Sequence, residues 1–289
     1  MKTKTHGFSS GLYINLIRSF ARIFIFLFQL NNTKNRFGIE LNQLLRPIHT
    51  INTESGRLSF LTPNGRLLWR AEVLLREEPL FIKWINTTVD KNSIFLDLGS
   101  NVGTFSCYAL SKMIKFCYCC ELDFMNIPIL YQNLFHNNFL SKSLIIPFAA
   151  SSQHSIEEIY FRDLTYGDAL QAVGRPIRFE TTRTKNSHKS LNFCFPLDSI
   201  FKQFKLDPPT HIKIDINGNE RIAIDGMKMI LRQANYVYFE YSNATSEDCT
   251  YCISQIVDCG YREIESCDII STDGTLVVGK NTLFERVTF

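Results

Sequence analysis

The sequence lacks a strong charge of either sign. Its 31 Lys and Arg stand against 28 Asp and Glu, leaving +3 at pH 7 over 289 residues. A dedicated nucleic-acid binder carries a marked basic excess, so that class of partner is not expected. Long apolar runs are scarce. The uninterrupted run 23–28 falls far short of the roughly 20 residues a membrane span needs. No small-residue cleavage site follows it, so no cleavable signal peptide is expected. The pyrophosphate-binding pattern G-x-G-x-x-G is missing, which disfavours a nicotinamide enzyme. Paired C-x2-C motifs are missing too. Cys249 and Cys252 form one such pair, but Cys259 and Cys267 are too widely spaced to complete a zinc site and no His lies near. No metal is expected. Nine cysteines, an odd number in a chain too long for a disulfide scaffold, point to reduced thiols and a cytosolic compartment. With 45% hydrophobic and 20% charged residues, a wholly disordered chain is excluded.

What the chain has is a rhythm. Residues 1–56 read as an extension: an amphipathic stretch over 12–30, with Arg18 and Arg22 on one helical face, then a polar linker. That helix packs on the domain or a partner, or lies in a membrane interface with Phe and Leu in the acyl layer. Residues 57–289 read as the main domain. Residues 57–70 suggest a hairpin about Pro63-Asn64-Gly65, and 72–88 a helix interrupted by Pro79. From Ser93 onward, strands alternate with helices: strands at 93–98, 116–122, 144–150, 211–216 and 236–241, and helical patterns at 102–115, 126–139 and 219–233. Such alternation implies an α/β fold, a mainly parallel sheet with helices on both faces. Residues 163–190 break the rhythm with Gly167, Gly174 and a basic group, Arg175, Arg178, Arg183, Lys185 and Lys189. They read as a solvated loop or a lid over an acidic substrate. The last segment predicts a helix from about 252, then an antiparallel edge hairpin.

The chemistry concentrates at strand ends. Ile94-Phe-Leu-Asp97-Leu-Gly99-Ser100-Asn101-Val-Gly103 is an apolar strand that ends in an acid, a glycine loop and a helix start. Ligands of doubly wound sheets sit outside the carboxyl ends of strands near the switch point. Glycines permit close backbone approach, and a helix N-terminus offers free N–H groups to a carboxylate. An acid directly before the loop repels a diphosphate and suits a cation, such as the ammonium of S-adenosylmethionine. The next strand ends in Glu121, placed to accept from ribose hydroxyls. The bland alternative is that Asp97 caps the helix and Glu121 is a surface acid.

These residues resemble a known family. Residues 77–243 are similar to the FkbM family of S-adenosylmethionine-dependent methyltransferases. The likeness rests on Glu78-Pro79, Trp84-Ile85, Asp97-x-Gly99-x-Asn101-x-Gly103, the series Asn126, Leu130, Asn133 and Asn137, Leu197-Asp198-x-Ile200, Lys213-Ile-Asp215-Ile-Asn217-Gly218-Asn-Glu220 and Phe239-Glu240. It implies a Rossmann-like class I methyltransferase fold with seven strands, the last antiparallel. It implies S-adenosylmethionine as cofactor and methyl transfer, generally to oxygen, on a small-molecule or glycan acceptor. Cofactor contacts are then expected at Glu78, Asp97, Gly99, Ser100, Asn101, Gly103, Glu121, Leu122, Phe148 and Ala149. Asp215, Glu220 and Glu240 are the catalytic candidates, Asp215 first as base. Two positions depart from the family: Leu122 stands for a proline, and Asn217 for a glutamate. The second leaves a catalytically inactive binding module as the alternative. Lys213 and Asp215 share a strand face, so an ion pair competes with catalysis there. Glu220 divides evenly between a helix-dipole role and substrate, and His211 reads as structural.

Overall fold

The segment Ile94–Leu98 is buried at every position, as a strand covered on both faces must be. It lies inside the largest sheet in the computed structural model of the protein, next to its middle strand. The described residues are 19, 20, 22, 23, 39, 46–169, 171–174, 188–242, 246–270 and 276–287. They belong to two compact units, Met1–Pro47 and Ile48–Phe289. In the first, residues 19, 20, 22 and 23 are helical and exposed. The rest of the amphipathic stretch 12–30 lies outside the described residues, as do Arg175, Arg178, Arg183 and Lys185. No described helix is long and apolar enough to cross a membrane.

The second unit opens with an antiparallel pair, β1 (Ile48–Thr53) and β2 (Gly56–Leu61). Residues 48–53 were expected to be linker. They form a strand because every second side chain of IHTINT turns partly inward. The hairpin therefore lies earlier than the sequence suggests, and Pro63-Asn64-Gly65 is not its turn. Asn64 instead caps helix α1 (Gly65–Glu77), its side chain accepting from Leu67 N at 2.8 Å. Helix α2 (Pro79–Thr88) starts on Pro79, where the missing N–H costs nothing.

The remaining strands are β3 (Ile94–Leu98), β4 (Phe116–Cys120), β5 (Ser143–Ile146), β6 (Ala149–Ala150), β7 (Ser155–Phe161), β8 (Gln171–Val173), β9 (His188–Phe195), β10 (His211–Ile214), β11 (Tyr236–Ser242), β12 (Tyr261–Ile270) and β13 (Val277–Arg286). The helices between them are α3 (Thr104–Ser111), α4 (Asn126–His136), α5 (Leu197–Phe204), α6 (Glu220–Asp225), α7 (Lys228–Leu231) and α8 (Glu247–Asp258). The seven-stranded sheet runs β12-β13-β11-β10-β3-β4-β5. Strands β5, β4, β3, β10 and β11 pair in parallel, and β13 alone is reversed against both its neighbours. This is the Rossmann-like class I methyltransferase fold, with its switch point between β3 and β10. The C-terminal pair is antiparallel, as expected, but only β12 is an edge. The more buried β13 is inserted between β12 and β11.

Alternation divides the core. Ile94, Leu96, Leu98, Ile212, Ile214, Val237 and Phe239 face one side and pack on α5 to α8. Phe95, Cys117, Cys119 and Tyr238 face the other and pack on β2 and α2 to α4. By the same parity Asp97, Lys213 and Glu240 belong to the second face.

A four-stranded sheet, ordered β6-β9-β7-β8, adjoins β5 in sequence and escapes the sequence rhythm. The expected strand 144–150 is two strands. Pro147 has no N–H for the ladder, so β5 ends at Ile146 and Ala149–Ala150 pairs with β9 instead. The described parts of 163–190 are likewise not all loop: they supply β8 and the start of β9. The helical pattern over 219–233 splits at Gly226, where a Cβ would lie 1.8 Å from the Ser151 carbonyl oxygen.

Candidate functional site

A pocket opens at the carboxyl ends of β3, β4, β5 and β10, where the fold reverses its winding. Gly99, Ser100 and Asn101 after β3, Glu121 and Leu122 after β4, Phe148 and Ala149 after β5, and Asp215, Ile216 and Asn217 after β10 form its wall. Ala169, Gln171 and Arg70 complete it from the loop and helix above. Eight of the residues expected to bind or react thus meet there: Gly99, Ser100, Asn101, Glu121, Leu122, Phe148, Ala149 and Asp215.

Gly99 has φ +91°, and a Cβ on it would stand 1.8 Å from the Asp215 carbonyl oxygen. The glycine is therefore required by the chain's own close approach between the β3 and β10 loops, before any ligand is considered. Gly103 is outside the wall. It starts α3 at φ +78° and faces Leu130.

The Glu121 carboxylate organises the pocket floor. Oε2 accepts from Asn101 N and Oε1 from Asp123 N, each at 2.7 Å. Each oxygen keeps a lone pair for a further donor. Burial pushes its carboxyl up to about 7, against the pull of the Asp123 and Asn101 amides. Asn101 sits at φ +50°, and its side chain donates to the Asp168 carbonyl at 2.8 Å.

Beneath the pocket is a buried charged row, set by strand register. Lys213 stands between Asp97 on β3 and Tyr238 on β11. Its Nζ donates to Asp215 Oδ2 at 2.6 Å and is 1% exposed, so the competing ion pair is present. Burial draws the Lys213 ammonium down, but Asp215, Glu78, Glu240 and Asp97 reverse this and raise it. Asp97 is buried with Oδ2 accepting from Ser106 Oγ, and Oδ1 has no partner. It is below the pocket wall rather than in it. Glu78, between α1 and α2, is also off the wall, and burial pushes its carboxyl to about 7. Glu240 lies beside it, raised by burial and by the neighbouring Asp215 and Glu78 carboxylates. Glu220 lies apart, with its oxygens accepting from Gly218 N at 2.8 and 2.9 Å. That bond fits the local, helix-start role better than a substrate role.

Asn217 adopts φ +51°, a left-handed conformation in which Asn is far more at ease than Glu. Its Nδ2 donates to the Ala169 carbonyl at 3.0 Å, tying the β10 loop to the opposite wall. His211 is buried among Trp84, Tyr236 and two threonine hydroxyls. The spaced asparagines of α4 serve the main chain. Asn133 Oδ1 accepts from Leu61 N at 2.8 Å and its Nδ2 donates to Val102 O at 2.7 Å. Asn137 exchanges two bonds with Ser59, and Asn126 two with Gly167 and Asp168.

Sequence reasoning missed Asp168. This fully buried acid accepts from Arg66 and Arg162, while its carbonyl receives Asn101, Asn126 and Gln171 side chains. It holds the loop that supplies Ala169 and Gln171 to the pocket. Arg70 was missed as well; its Nε donates to Gly167 O at 3.1 Å. The signal available in the sequence was Gly167-Asp168, a turn followed by an acid, with no indication of the distant arginines.

No family model matches the chain. It is similar to the hexuronic acid methyltransferase AglP of Haloferax volcanii, 22% identical over 190 residues, covering 65% of this chain and 72% of that protein. Similar solved structures include the precorrin-6y C5,15-methyltransferase of Geobacter metallireducens GS-15, with TM-score 0.45, 12% identity, 79% of this chain and 93% of that one covered. Another is TYW2 of M. jannaschii in complex with AdoMet, with TM-score 0.43, 11% identity and coverages of 83% and 87%.

Proposed function

We propose that the protein is an S-adenosylmethionine-dependent methyltransferase acting on an oxygen of a sugar or other small molecule, with a hexuronic-acid-containing glycan the first acceptor to try. The observation that carries this reading is Glu121: a carboxylate at the end of the strand next to β3, on the pocket wall, holding the Gly99–Asn101 loop by one edge with lone pairs to spare. The pocket fits the cofactor in kind. It pairs a carboxylate for ribose hydroxyls with an apolar wall at Leu122, Phe148 and Ala149 for a base, and with loop carbonyls for the ammonium of an amino-acid tail. Bound S-adenosylmethionine supplies a methyl group already activated on a sulfonium.

The chain's own part is alignment and proton handling. The Gly99 and Ser100 N–H groups are spent on the Cys120 carbonyl and that of Asn101 on Glu121, so the loop offers the tail its carbonyl oxygens, which accept from the ammonium. Asp97, sealed under the loop opposite Lys213, offers its field to the ammonium rather than a hydrogen bond. Asp215, with one oxygen on Lys213 and its residue on the pocket wall, accepts the acceptor's proton at Oδ1. Glu240 lies behind it. Glu220 is left to the helix start. The nearness of Asn217 to the site is explained by its backbone conformation and its bond to Ala169, which favours an active enzyme over a module that lost activity. Nine free thiols, eight of them buried, suit a reducing cytosolic location.

Titration calorimetry with S-adenosylmethionine is expected to show saturable one-to-one binding, weakened at least tenfold by Glu121→Ala. Absence of binding ends the proposal. Incubation with methyl-labelled cofactor and a panel of uronic acids, neutral sugars and small hydroxyl compounds then identifies the acceptor, and product analysis the methylated atom. Binding without any labelled product across the panel would return the inactive module to first place.

A further inference from the structure

Glu78, Asp215 and Glu240 each place a carboxylate oxygen within 4.8 Å of the other two. They come from separate parts of the chain: the junction of α1 and α2, the end of β10 and the end of β11. Like charges do not gather this closely without compensation. The nearest cation is Lys213, which serves four carboxylates, Asp215, Glu78, Glu240 and Asp97. Its ammonium bonds Asp215 Oδ2 and lies 4.9 Å from the Phe105 ring centre. That is one cation for four carboxyl groups.

The polar atoms around the cluster carry a second, independent sign. Glu78 is 7% exposed, and its Oε2 has no hydrogen-bond partner. Asp97 Oδ1 is likewise buried and unpartnered. Tyr238, fully buried two residues before Glu240 on the same face of β11, lies against Glu78. Buried acceptors are rarely left unmade, because each costs its full desolvation. A buried carboxylate oxygen without a partner, on a member of a three-carboxylate cluster, is what a cation site without its ion presents.

We propose that Glu78, Asp215 and Glu240 bind one divalent cation of the magnesium or manganese class. The donors are all oxygen, which selects a hard ion over zinc. Asp215 Oδ1 remains for the ion, since Lys213 occupies Oδ2; with the ion bound, Asp215 acts on the acceptor hydroxyl through the metal rather than as the direct proton acceptor. Asp215 also belongs to the pocket wall, so the ion sits at the boundary between the buried row and the pocket. There it has room for water or for the oxygen of an acceptor, and Glu78 and Glu240 gain a role that no contact with the pocket gives them.

The test needs no substrate. The full chain is stripped with chelator, and Mn2+ is titrated while the free ion is followed by paramagnetic resonance. One Mn2+ per chain is expected, displaced by excess Mg2+. Glu240→Gln and Glu78→Gln are expected to weaken binding tenfold or more with their circular dichroism spectra unchanged. Asp207→Asn, which alters an exposed acid paired with Lys115, is expected to bind as the parent does. Where a carboxamide variant fails to fold, Glu240→Asp, which keeps the charge and withdraws the oxygen, supplies the comparison. No bound Mn2+, or equal binding by parent and Glu240 variants, overturns the proposal. Cofactor calorimetry on the same protein separates the two ideas: a chain that binds S-adenosylmethionine but takes up no Mn2+ sinks only the metal site, and one that takes up Mn2+ but no S-adenosylmethionine sinks only the methyltransferase reading.

Discussion

Lowering the pH from 8 to 6 is expected to weaken S-adenosylmethionine binding about tenfold. Glu121 sets the effect. Burial holds its carboxyl at about 7, well above the ordinary 4.5 of a glutamate. Ribose hydroxyls donate, so the anion is the form that binds them. At pH 8 most of the protein carries the anion and at pH 6 only about a tenth does, a difference of about 1.4 kcal/mol in apparent binding free energy. The sign also follows for folding. A carboxyl raised in the folded state contributes most below its ordinary value and loses that contribution as pH rises through 7, about 3 kcal/mol at most from this residue. Bound cofactor offsets that loss, so the rise in Tm on adding cofactor is expected to be larger at pH 8 than at pH 6. The assay is calorimetry at half-unit steps from pH 6 to 8, repeated with Glu121→Gln. Glu78 titrates in the same range but lies off the pocket wall, so the variant isolates the contribution of Glu121. The amide must also turn an NH2 toward either Asn101 N or Asp123 N, so its affinity is expected to be low as well as flat with pH. A flat profile in the parent, or an unchanged tenfold slope in Glu121→Gln, refutes the reasoning.

Three further outcomes are expected. Gly99→Ala forces a Cβ into the Asp215 carbonyl and a side chain into φ +91°, and is expected to cost about 3 kcal/mol or more, read from the urea midpoint. Lys213→Met strips its ammonium from a buried acidic group; it is expected to destabilise the fold by about 3–5 kcal/mol at pH 8, with part regained on acidification as the raised carboxyls of Glu78 and Glu240 take up protons, read as Tm against pH. Thiol titration of the native protein is expected to find Cys267 as the reactive cysteine and the eight buried ones only after denaturant is added.

Strand ends were the most legible part of the chain. Asp97, Gly99, Glu121 and Asp215 declared themselves because an apolar run that stops at an acid or a glycine is a local pattern, and the fold converges such ends on one edge. The four-stranded sheet was not legible. Its β7 and β9 are separated by a long excursion and hold polar residues on alternate positions, so neither reads as part of a buried sheet. The first hairpin was displaced for a local reason: Asn64-Gly65 is a turn signal in isolation, and only the helical run after it reveals Asn64 as a cap. Asp168 was hidden because its arginines arrive from α1 and from the end of β7. The charged row under the pocket was half visible. Lys213 and Asp215 stand two apart on one strand, whereas Glu78 joins them only through the packing of α2 on the sheet.

The amides of α4 have one more effect. By meeting Ser59 N, Ser59 O and Leu61 N, Asn133 and Asn137 occupy the outer rim of β2, where bare peptide groups invite another copy to add a strand. The helix thereby leaves those peptide groups occupied rather than open to an added strand. Asn133 and Asn137 thus shield an edge as well as brace the fold.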